Sequence, residues 1–179
     1  MEKQRPEGVA AEASWSESDR EWVLYELDDE GRKHGLATFW RPDGSLVNHC
    51  QFHEGQPHGW YKRYHESGQV SREGRFVDGK LHGTDVFIRS DEPSTENFPA
   101  GLSEGVWRAE MDMCANRVVA GRCYDREGRQ VSETGERYPE RPAGVPETAH
   151  YSAKGARWLQ GETDENFERQ GLWSFFGRD

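Results

Sequence analysis

Two runs of alternating character, Trp60 to His65 and Gln69 to Phe76, flank the dipeptide Ser67-Gly68. Both are rich in strand-favouring types (Trp60, Tyr61, Tyr64, Val70, Phe76), and neither contains proline. Side chains of a strand alternate between faces. In the first run Trp60, Lys62 and Tyr64 therefore point one way, and Tyr61, Arg63 and His65 the other. In the second, Val70, Gly74 and Phe76 share a face opposite Ser71, Glu73 and Arg75. Glu54-Gly55 and Asp78-Gly79 bound the pair, and glycine accepts the positive φ of a tight turn. The unit predicted is one β-hairpin, with the stripe of Trp60 and Tyr64 as its buried side.

The unit recurs every 24 residues: His34-Gly35, His58-Gly59 and His82-Gly83 keep that step. So do Gly31, Gly55 and Gly79, the pair Gly44 and Gly68, and the pair Phe52 and Phe76. Leu36, Thr38 and Trp40, then Thr84, Val86 and Ile88, occupy the places of Trp60, Lys62 and Tyr64. A fixed period of this length marks an array of like units that bury a core by stacking. The expected fold class is all-β: an elongated, twisted antiparallel sheet of stacked hairpins with an irregular insertion.

The third copy dissolves after Ile88. Ser90 to Ser103 reads as an inserted loop, Gly105 to Met113 as a resumed strand, and Tyr138 to His150, with three prolines, as a linker. Tyr151, Gly155 and Gly161 match Tyr64, Gly68 and Gly74, and Gln170-Gly171-Leu172-Trp173 echoes His58-Gly59-Trp60-Tyr61. Four segments follow: a flexible acidic tail over 1–19, hairpin repeats over 20–89, a degenerate repeat with insertion and linker over 90–150, and a last repeat over 151–179. Glu21 to Leu27 at the front and Leu172 to Phe176 at the back are expected as open edges, which invite an added strand or oligomerisation.

Composition supports a thin sheet. Only 33% of residues are hydrophobic, while aromatics reach 12% and include seven Trp. The net charge of −10 repels a phosphate backbone or an anionic membrane, so no nucleic acid is expected as partner. Lys62, Arg63, Arg72 and Arg75 form the densest basic group, interleaved with Glu66 and Glu73. The sequence contains no apolar run long enough for a transmembrane helix, and the N-terminus lacks a secretory core. Three cysteines, Cys50, Cys114 and Cys123, suit a reducing, cytoplasmic compartment better than a disulfide framework.

No catalytic constellation emerges. His34, His58 and His82 repeat in register, but successive hairpins lie about 9–10 Å apart at two strand spacings, too far to share a zinc with bonds of about 2 Å. Cys50 stands where Gly74 stands in the next copy, as a small packed residue near His53. No cofactor, metal or nucleophile is expected. Phe39, Tyr61, Phe87 and Trp173 line up opposite the presumed core stripe. Either the insertion and tail cover them, or they form an exposed aromatic strip that binds a partner.

The pattern running from Gly55 to Gly83 resembles the bacterial MORN-repeat-variant family, more loosely matched by Gly31 to Gly55 and faintly by Tyr151 to Phe176. The resemblance implies stacked hairpins and no catalytic residues. It also implies a protein-binding role, most concretely as an antitoxin or immunity protein that neutralises a partner, a toxin or effector. The alternatives are a structural subunit of a larger bacterial assembly and a lipid-associated scaffold.

Overall fold

The computed structural model of the chain describes residues 4–91, 98–146, 149–152, 157–163 and 169–176, with backbone alone for 150, 152, 157, 162, 163 and 169–173. The described residues contain no helix, and all paired strands are antiparallel. The main sheet runs β1 (Ser14–Ser16), β2 (Glu21–Leu27), β3 (Lys33–Trp40), β4 (Leu46–His53), β5 (Gln56–Tyr64) and β6 (Val70–Val77). It continues through β7 (Lys80–Leu81), β8 (Gly83–Ile88), β9 (Arg108–Cys114), β10 (Arg117–Tyr124) and β11 (Gln130–Val131). Each strand lies beside its predecessor, except that β8 pairs with β6 and the short β7 extends the same β6 ladder. The meander does not close, because β1 and β11 end it. A second sheet joins β12 (His150–Ser152), β13 (Arg157–Thr163) and β14 (Arg169–Phe176).

The turns follow the glycine logic. Gly44, Gly68 and Gly128 have φ of 93°, 82° and 78°. Glu54-Gly55 and Asp78-Gly79 are positive at both residues, as a two-residue turn matched to strand twist requires. The His-Gly pairs do not form these turns. They lie in or beside the strands, where the ladder slips by two residues. Leu24 faces Thr38 but Glu26 faces His34; Cys50 faces Tyr61 but Phe52 faces Pro57. Each His-Gly is thus a bulge against the preceding strand rather than a turn. At Gly59 φ is 101°, and a Cβ would collide with Gln51, whose Oε1 accepts the Trp60 N–H at 2.9 Å.

Two covers pack on the sheet. Val9 and Ala13 are buried with Trp22 and Trp40, with Ala10, Trp15, Leu24 and Leu46 around them. The tail expected to be flexible is therefore folded from Pro6 onward, because its few apolar residues find the exposed side of two cross-strand tryptophans. Near the other end, Phe98 and Leu102 of the insertion pack on Val106, Cys123 and Val131. Arg89 fastens that loop through the carbonyls of Leu102, Ser103 and Val106. Register places Trp22, Trp40 and Leu46 on the face that carries Thr38 and Lys62, and Cys123 on the face that carries Phe87 and Ala109. One cover thus lies on each face, at opposite ends, and the middle of the sheet is left open.

Candidate binding surface

Register decides which aromatics meet. Tyr61 stands opposite Cys50 on one side and Gly74 on the other; Phe76 stands opposite Gly59 and Leu81; Phe52 stands opposite Gly35 and Pro57. Phe39, Phe52, Tyr61 and Phe76 therefore share one face. Together with Asn48, Cys50, Arg63, Arg72 and Leu81 they line a cleft of about 310 Å³. Tyr61 and Phe76 pack with centroids 4.9 Å apart.

The cleft rests on a buried acid. Asp85 is 1% exposed. Its carboxylate accepts the Tyr61 Oη–H and a fork from Arg72, Nη2 to Oδ2 at 2.5 Å and Nε at 3.1 and 3.2 Å. Such pairing is what allows a carboxylate to be buried at all. Arg72 in turn lies over Phe87, with Cζ 4.4 Å from the ring centroid. Burial first, and then the hydrogen bond to Asp85, push the Tyr61 phenol well above its usual range. Burial pushes the Cys50 thiol up to about 11. A thiol so poised stays protonated at neutral pH and is a poor nucleophile.

At the β2 end, the cleft meets a cation cage. The Lys33 ammonium sits 4.8 Å from the Tyr25 ring centroid and 5.4 Å from those of Phe39 and Phe52. Neither Lys33 nor Asp85 stood out in the sequence. The available signal was their placement, an acid and a cation on alternation positions otherwise held by apolar residues.

Of the four aromatics expected as a strip, Phe39 and Tyr61 line the cleft and Phe87 lies under Arg72 on the same face. They are floor rather than strip: Tyr61 is 5% and Phe87 8% exposed. Trp173 falls on β14, in the other sheet, and its side chain lies outside the described residues. The stripe expected as core is open at Leu36, 45% exposed, and Trp60, 42% exposed, and is buried at Thr38 and Trp40, the latter under the N-terminal cover. The reversal has a simple cause. Tyr61 ladders with Cys50 and Gly74, and so joins Phe52 and Phe76, while Trp60 ladders with Arg75. On the Trp60 face, His49 lies edge-on to Trp60 and Tyr64, with Nδ1 3.0 Å from Thr38 Oγ1.

Bulging also gathers histidines. His53 lies between His34 and His58, with ring centroids at 5.0 and 5.8 Å, and Asp78 Oδ1 is 3.2 Å from His58 Nδ1. Among the described residues, no group of three His, Cys, Asp or Glu is placed to hold a metal ion. Farther along, Arg122 holds Asp112 through two bonds of 2.8 Å and Glu110 at 3.1 Å, a satisfied structural network. No helix among the described residues is long and apolar enough to cross a membrane.

No protein-family model matches this chain, and no curated protein matches it.

Proposed function

We propose that this chain is a non-enzymatic protein-binding module that engages its partner through the uncovered middle of the open sheet. The observation that carries the reading is the disposition of the two covers. They bury opposite ends of opposite faces and leave the Phe39–Phe76 cleft on one side and Leu36 with Trp60 on the other. Large apolar residues left together at the surface are the usual anchor of a protein contact. The ionisable groups of the cleft favour this reading over catalysis, because the phenol and thiol are held protonated and Asp85 is consumed by Arg72 and Tyr61. The repeat resemblance supplies the most concrete form, an antitoxin or immunity protein that neutralises a partner. Its alternatives are a subunit of a larger assembly and a lipid-associated scaffold.

The test places a photo-crosslinking residue at Phe52, at Trp60 or, as control, at Glu127 of the full chain, expressed in its native cell. Protein crosslinks specific to Phe52 or Trp60 are expected. Equal crosslinking from all three positions, or recovery of only lipid from the first two, overturns the reading.

A further inference from the structure

We propose that the edge of β2 from Leu24 to Leu27 is a strand-addition site for an extended basic and apolar segment of a partner protein. The proposal rests on the protein-binding reading and names where and what is bound. β1 pairs only with Glu21, Trp22 and Val23. Before Ser14 the chain turns away, with the Ala13 N–H on the Ala10 carbonyl, and runs to the Asp43-Gly44 turn, where the Glu7 carbonyl lies against Gly44. Among the described residues no strand lies beside Leu24–Leu27 on the side away from β3. Backbone groups on such an edge are satisfied by a further strand.

Natural edges are commonly blunted by Lys, Pro or a bulge. β2 reads Glu-Trp-Val-Leu-Tyr-Glu-Leu and has neither residue, and the two-residue slip falls on β3. Tyr25 and Leu27 are 37% and 57% exposed there. Charge selects the occupant. Glu26 and Asp29 are exposed, Asp28 and Glu30 share Arg32, and the whole chain carries −10. Tyr25 already accepts the Lys33 ammonium, so its ring is suited to a cation. A second copy fits less well, since antiparallel pairing of two such edges brings like charges at Glu26 together.

The probe is an acetylated, amidated peptide of alternating Val and Lys, six residues long, with the Val and Glu version as control. Titration of the full chain, followed by amide exchange, should show binding of the Lys peptide with protection at Tyr25 and Leu27, whose N–H groups point away from β3. Affinity should be at least about tenfold weaker for the Glu peptide and for Leu27→Pro, a proline at a residue whose N–H points to the open edge. Glu26→Lys with Asp29→Lys keeps the backbone intact and should reverse the peptide preference. Equal affinity for both peptides, no protection at the edge, or a concentration-dependent dimer abolished by Leu27→Pro overturns the proposal. If the cellular partner crosslinks at Phe52 or Trp60 but binds Leu27→Pro normally, the edge assignment fails while the protein-binding reading stands. If no protein crosslinks at all, the broader reading fails as well.

Discussion

Tyr61 reaches across Gly74 to hydrogen-bond Asp85 on the second strand over. Residues 61 and 85 occupy the same place in successive repeats, one period of 24 apart. The contact exists because Gly74 lacks a side chain: a Cβ there would lie 2.7 Å from Asp85 Oδ1 and 3.0 Å from Tyr61 Cε1. Removing Arg72 should therefore hurt more than removing the hydroxyl. Arg72→Met leaves a buried carboxylate with one neutral donor and should cost about 3–5 kcal/mol. Tyr61→Phe keeps the ion pair and should cost about 1–3 kcal/mol. Urea midpoints in the reverse order would show that Asp85 does not depend on Arg72.

The same phenol predicts an alkaline limit. Its pKa is raised in the folded state, so above about pH 10, where the unfolded chain's tyrosines ionise, the unfolded state holds fewer protons. Stability contributed by neutral Tyr61 is thus complete below pH 10 and declines as pH rises beyond it. Chemical denaturation at pH 9 and pH 11 should show a larger loss for the wild type than for Tyr61→Phe. Parallel losses would place the titration elsewhere.

Cys50 gives a chemical counterpart. With the thiol pushed from 9.0 to about 11, its thiolate fraction at pH 8 falls about a hundredfold below that of the unfolded chain. Iodoacetamide should label Cys50 slowly in the native protein and at the ordinary rate in urea. Equal rates, followed by peptide mass mapping, would refute burial of the cleft floor.

Face assignment can be tested directly. Tyr61→Ala should cost about 3–5 kcal/mol, the range for a buried aromatic. Trp60→Ala, at a residue 42% exposed, should cost clearly less. A larger loss at Trp60 would restore the stripe expected from alternation.

Alternation alone could not settle that point, because both faces of Trp60–Tyr64 carry an aromatic. What settles it is the partner strand: Gly74 opposite Tyr61 and Arg75 opposite Trp60. The repeat, the all-β meander and the turns at Gly44 and Gly68 were legible, since local φ demands and period fix them. The tail was misread because Val9, Ala10, Ala13 and Trp15 are diluted among acids, and their burial depends on Trp22 and Trp40. The Asp85 network and the Lys33 cage depend on register across three or more strands, which no window of sequence displays.

The His-Gly motif supplies the last prediction. Gly59 meets two demands at once, φ of 101° and clearance for the Gln51 carboxamide that caps the Trp60 N–H. These demands can be separated. Gly59→Ala suffers both the left-handed backbone and the clash, and should be strongly destabilised. Gln51→Ala alone loses one hydrogen bond, worth about 0.5–1.5 kcal/mol. In the double variant the 2.1 Å approach to the carboxamide is gone, while the lost hydrogen bond, a 3.1 Å approach to the Cβ of residue 51 and the backbone strain, about 1–2 kcal/mol for an L-residue in that region, remain. The double variant should therefore be more stable than Gly59→Ala alone, a favourable coupling measurable by a thermodynamic cycle. Simple additivity would mean that Gln51 moves aside freely, and that the repeated glycine serves backbone geometry alone.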